Sequence, residues 1–226
     1  MRKILAALLF SVFLAPASGL ADLIEYQGIQ IPGLKVEGYI GGDKVKASGY
    51  GELRVTWDEK EVLAAYCTNI LAYGVGGEYD VQDLTSFDYN TYSNLYQAAW
   101  IIDNYSLLGT VEDAYRSTEL ITAAQSAVWT LMSDWHLTRV YGTAWQRLYV
   151  ASLYSEMLTE ASGVDFSTYT FKNVFSYAVS QEGKQDLLLA TSGGAAVPEP
   201  STFLLMGSAL TGLWGYLRRR RREKLA

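Results

Sequence analysis

The chain is poor in the side chains that most metal, redox and nucleophilic chemistry requires. Its 226 residues include one cysteine, Cys67, and one histidine, His136. A single cysteine forms no intrachain disulfide, and one of each is too few ligands for a tetrahedral Cys/His zinc site. No metal site and no cofactor are expected. Proline is scarce as well: of four, only Pro32 lies between the tails, and it falls between candidate strands. Basic residues are few in the body. From Asp22 to Val197 there are ten lysines and arginines against 22 acids, a net charge of −12, whereas the whole chain carries −6. So acidic a body repels phosphate backbones and argues against nucleic acid as a partner. Half of the residues are hydrophobic and 19% are charged, which excludes global disorder and leaves enough material for a core.

The two ends read as addresses. Arg2 and Lys3 precede an apolar run, Ile4 to Leu14, and a small-residue stretch, Ala15 to Ala21. That order is the charged start, apolar centre and cleavage region of a secretory signal, expected over residues 1–21. A body of 22–190 follows, then a linker over 191–200 that ends on Val197-Pro198-Glu199-Pro200. Residues 201–217 are apolar and uncharged, at the short end of a bilayer span, and five arginines, Arg218 to Arg222, open a basic tail of 218–226. Basic residues beside a span stay cytoplasmic, which puts the body outside. Pro198, Glu199 and Pro200, the adjoining span and the basic tail together resemble the PEP-CTERM sorting signal of Gram-negative bacteria. The resemblance implies processing by an exosortase near Pro198 to Pro200 after transient anchoring in the inner membrane. It also implies export to the cell envelope, outer surface or extracellular matrix, often beside biofilm polysaccharide. An ordinary single-span anchor shares this topology and differs only in processing.

Between the ends the pattern runs strands, helices, strands. Leu23–Gln30, Lys35–Ile40 and Ser48–Trp57 mix or alternate apolar and polar residues, with Gly41-Gly42-Asp43 as a turn. Glu61–Leu71 is a further apolar run that holds Cys67. Leu95, Ala98, Ala99, Ile102 and Tyr105 then step by three and four, as does the stripe Leu120, Ala124, Ala127, Val128, Leu131, Trp135. Thr110 and Asp113 resemble a capping box. Trp145–Thr159 forms a third helical stretch, and Tyr169–Ser180 and Gln185–Ala190 return to strand composition. The expected fold is α+β: an antiparallel β-sandwich or barrel with an inserted helical subdomain, a cleaved N-terminal signal and one C-terminal transmembrane helix.

Two short stretches carry the chemistry. Tyr66-Cys67 stands on the last strand before the helices, and Gln125-Ser126-Ala127-Val128-Trp129 stands on a helix. Gln125, Val128, Trp129 and Met132 share one mostly apolar face, where a glutamine costs free energy unless it is hydrogen-bonded or chemically altered. These stretches resemble the thioester domains of bacterial surface adhesins, whose cysteine follows an aromatic or leucine and whose glutamine sits in a Thr-Gln-x-Ala pattern followed by an apolar residue and Trp or Phe. Two positions depart: Ala124 stands where the pattern has threonine, and Asn69 where the family often has an acid. The resemblance implies a Cys67–Gln125 thioester, formed by attack of the thiolate on the amide carbon with loss of ammonia. An amine or hydroxyl of a surface or matrix target would then attack Gln125 and stay covalently attached. This is single-use capture and no turnover enzyme. Tyr66, Val128 and Trp129 are expected to wall the site from water.

Two alternatives stand beside it. One is a non-covalent structural component of the exopolysaccharide matrix, with Cys67 an inert core residue. The other is an exported hydrolase with Cys67 as nucleophile, His136 as base and Asn173 or Asp165 as orienter. Were the helix continuous from Gln125 to His136, about 16 Å would separate them. Glu78, Asp80, Asp83 and Asp88 read as a solvated acidic loop, without the spacing of an EF-hand.

Overall fold

The computed structural model describes residues 21–48, 50–107 and 114–192. Residues 1–20 of the signal expected over 1–21, the cap expected at Thr110 and Asp113, and the chain from 193 onward, with the expected span and basic tail, lie outside the described residues. Strands β1 (Asp22–Pro32), β2 (Val36–Ile40), β3 (Asp43–Ala47), β4 (Gly51–Trp57), the two-residue β5 (Lys60–Glu61), β6 (Ala64–Cys67) and β7 (Gly77–Asp83) come first. A 3-10 turn, Leu84–Ser86, leads into helices α1 (Ser93–Tyr105) and α2 (Ala114–Ser133). Strand β8 (His136–Val140) separates α2 from α3 (Ala144–Ser162), and β9 (Val174–Ser180) and β10 (Leu187–Thr191) follow. The α+β reading with inserted helices holds, and of its two forms the barrel is the one observed.

Six antiparallel strands run in the order β1-β7-β9-β10-β6-β4, and β4 returns to pair with β1. The sheet therefore closes and leaves no free edge within the ring. Ile24, Leu53, Val55, Ala65, Cys67, Tyr79, Leu187 and Leu189 fill the interior. Each fully buried valine or leucine among them contributes about 1.5–3 kcal/mol relative to exposure. The opposite faces of β6, β9 and β10 present Ala64, Tyr66, Phe175, Leu188 and Ala190 to the helices. Strands β6 and β10 are thus covered on both sides, which is why they read as apolar runs rather than as alternation.

Helix α2 is the centre of the second layer. It packs on α1 and α3 and on β1, β4 and β6. Every residue from Ile121 to Trp129 is buried, and alanines at 123, 124 and 127 supply the small contact surface that brings the helix close to the sheet. Thr143 caps α3: its side chain accepts from the Gln146 N–H while the Gln146 side chain accepts from the Thr143 N–H.

Three local expectations are corrected. The acids Glu78, Asp80 and Asp83 belong to strand β7, paired with β9 and β1, and not to a loop; Tyr79 and Val81 anchor that strand inward. Asp88 caps the following turn through Thr91 Oγ1 at 2.7 Å. Trp135 and His136 are not helical. Helix α2 stops at Ser133, Asp134 takes a left-handed φ of 53°, and the chain turns into β8 of a separate three-stranded sheet, β3-β2-β8. The segment Asp43–Ala47, assigned to no strand from the sequence, completes that sheet as the second arm of the Gly41-Gly42 hairpin.

Candidate functional site

Cys67 ends β6 opposite Leu187 of β10, and its neighbour Thr68 donates its N–H to the Asp186 carbonyl at 2.9 Å. Antiparallel pairs alternate between bonded and non-bonded, so the N–H and C=O of Cys67 point away from β10. On that other side β4 meets β6 only at Leu53–Ala65. Gln125 fills the gap. The Cys67 N–H donates to Gln125 Oε1 at 3.2 Å, and Gln125 Nε2 donates to the Cys67 carbonyl at 2.6 Å. The primary amide does for this residue what a neighbouring strand would do. Both residues are buried, Cys67 at 5% exposure and Gln125 at 0%. The structure thus brings the two together across 58 positions of chain. The thiol itself belongs to the barrel-interior cluster with Ala65 and Tyr79, and burial pushes its pKa up to about 12.

The three residues expected to wall the site lie on the helix side. Tyr66, Val128 and Trp129 share one buried cluster, with the Trp129 ring edge-on to Tyr50 at 4.8 Å and to Trp135 at 5.5 Å. Tyr66 donates its hydroxyl to Glu52 Oε2 at 3.0 Å, and Ser106 Oγ donates to the same oxygen. Burial first, and the Glu52 charge second, hold the Tyr66 pKa well above its ordinary value. Glu52 therefore fixes the residue just before Cys67. The sequence reading missed it; an acid at a helix-facing position of the alternating run Ser48–Trp57 was the available sign.

Beyond Cys67 opens a cleft of about 280 Å³ lined by Ile40, Thr68, Asn69, Ser133, Tyr177 and Asp186 among others. Ser133 Oγ donates to the Thr68 carbonyl at 2.6 Å, which ties the end of α2 to the residue after the cysteine. The hydrolase constellation is not assembled. His136 Nε2 meets Asp134 Oδ1 at 3.2 Å with its side chain 63% exposed, Asn173 binds Asp103, and Asp165 binds Ser167.

Residues 196–222 match the PEP-CTERM protein-sorting motif. The chain carries that sorting signal. A signal of this kind supports an exported surface protein processed by an exosortase. No curated protein matches the chain at a level that marks a relative. Among solved structures it is similar to the N-terminal domain of the Streptococcus pyogenes pilus tip adhesin Cpa, with 14% identity and a TM-score of 0.49, over 74% of this chain and 98% of that one. It is also similar to the N-terminal thioester domain of the fibronectin-binding protein SfbI from Streptococcus pyogenes, with 15% identity and a TM-score of 0.45, over 75% and 99%. A third is the N-terminal thioester domain of a surface protein from Clostridium perfringens, with 13% identity and a TM-score of 0.43, over 70% and 98%.

Proposed function

We propose that this exported surface protein forms an internal thioester between Cys67 and Gln125 and uses it once, to attach itself covalently to an amine- or hydroxyl-bearing target. The observation that carries the reading is the buried two-point clamp of the Gln125 amide on the Cys67 main chain. The clamp holds the amide carbon beside the residue that bears the thiol. The thiol itself is grouped with the barrel interior, so bond formation requires the sulfur to turn toward the clamped amide.

The chemistry balances without an outside reagent. Sulfur attacks the Gln125 amide carbon, the C–N bond breaks, and the thiol proton leaves with the nitrogen as ammonia. A target nucleophile later attacks the same carbon, and the C–S electron pair returns to sulfur. With an amine target the new bond is an amide, lower in free energy than the thioester it replaces, so the exchange runs forward. Capture is one-way, as an attachment device requires.

One observation favours a second reading, a non-covalent structural component with an inert thiol. A pKa pushed up to about 12 opposes formation of the thiolate. Thiol titration in acid-quenched denaturant separates the two. The thioester reading expects no free thiol in the isolated protein and one after incubation with methylamine. One thiol in both samples overturns it.

A further inference from the structure

The cleft beside Cys67 holds one carboxylate, and its placement bears on the capture step. Thr68 and Asp186 form the hydrogen-bonded pair next to the Cys67–Leu187 pair. Cys67 and Leu187 point into the barrel, so Thr68 and Asp186, one residue on, point to the helix side from which Gln125 arrives. Tyr177 on β9 faces the same side and packs against the helix-side core. Tyr177 lines the cleft together with Thr68 and Asp186, and Asp186 Oδ1 accepts the Ser180 N–H at 2.9 Å. Among the described residues no lysine or arginine is ion-paired with Asp186; Lys184 close by is engaged by Glu182 at 2.5 Å and by the Gly76 carbonyl at 2.6 Å. A carboxyl group therefore stands in an open cleft, holding the Ser180 N–H, one residue along from the cross-strand partner of Cys67.

Resting on the thioester reading, we infer that this cleft is the docking subsite for the incoming nucleophile and that Asp186 is the group that receives its proton. An alkyl amine arrives as an ammonium, which is no nucleophile. Asp186 takes one proton as the C–N bond forms, so that bond formation draws the transfer forward, and the nitrogen lone pair attacks the Gln125 carbonyl carbon. The C–S bond breaks with its electron pair on sulfur, and the nitrogen's second surplus proton ends on that sulfur. The products are an N-substituted amide at Gln125 and a thiol at Cys67, and Asp186 releases its proton to water. The Tyr177, Thr68 and Ser133 hydroxyls line the approach and solvate the ammonium.

The test compares two nucleophiles on the full exported protein at pH 7.5: methylamine, which is cationic there, and hydroxylamine, which is neutral. Adduct formation is followed by mass. Asp186→Asn is expected to slow methylamine about tenfold, the scale of one charge-assisted hydrogen bond, and to leave hydroxylamine within about twofold. The ratio of the two rates in one preparation cancels any loss of folded protein. Glu182→Gln, in the same β9–β10 turn but outside the cleft, is expected to leave the ratio unchanged. An unchanged ratio in Asp186→Asn, or an equal drop in Glu182→Gln, overturns the subsite while leaving the thioester standing. A wild type that gives no adduct with either nucleophile overturns the thioester reading and the subsite with it.

Discussion

In the proposed function Gln125 has two roles that substitution separates. It would supply the acyl carbon, and it satisfies the main chain of Cys67 where β4 and β6 part. Cys67→Ala and Gln125→Ala should each abolish amine capture, and the double variant should do no more, because each removes the same bond. Their stabilities should differ. Gln125→Ala also leaves a buried N–H and C=O unpaired and should cost about 2–4 kcal/mol more than Cys67→Ala in urea unfolding. The released thiol has a further signature. Its pKa in the folded state, about 12, exceeds the ordinary 9.0, so above pH 9 the unfolded chain gives up the proton first. Stability should then fall as pH rises from about 9 toward 12, by up to about 1.4 kcal/mol per pH unit. Urea unfolding of methylamine-opened protein should show this slope relative to Cys67→Ala, in which the tyrosines titrate equally and cancel.

At the scale of elements, the barrel depends on its seam. Gly51 of β4 opposes Pro32 of β1, and a Cβ there would stand 1.9 Å from the Ile31 carbonyl oxygen. Gly51→Ala should force the seam apart and cost about 3 kcal/mol or more, read as a lowered melting temperature. The same elements show what was legible. β1, β2, β4 and the three helices follow from period and turn residues. β6 was visible as an apolar run, and Cys67 and Gln125 as motifs within it and within α2. β7 was not legible, because its outward face carries Glu78, Asp80 and Gln82, its inward row ends on the acid Asp83, and only Tyr79 and Val81 mark it as a strand. The end of α2 was not legible either: Trp135 continues the apolar stripe, and the left-handed turn at Asp134 that removes it from the helix has no glycine to announce it. Glu52, Tyr177 and Asp186 are brought near the site by strand pairing across the barrel, information that no local window contains.

At the scale of the molecule, the sorting signal suits the proposed function. A protein that attached itself once would have to reach its target intact and be released outward, and the motif at 196–222 marks such a route. In a cell with an active exosortase the exported chain should lack Arg218 to Arg222, and changing Pro198, Glu199 and Pro200 to alanine should retain them; C-terminal peptide mapping reads both. A mature chain that keeps the arginines contradicts the processing. The covalent claim is tested most directly by the intact mass of the exported protein, before and after methylamine. The expected result is a native mass one ammonia below that of the processed sequence, and then a gain of one methylamine located on Gln125. A native mass equal to that of the sequence, unchanged by the amine, would contradict it.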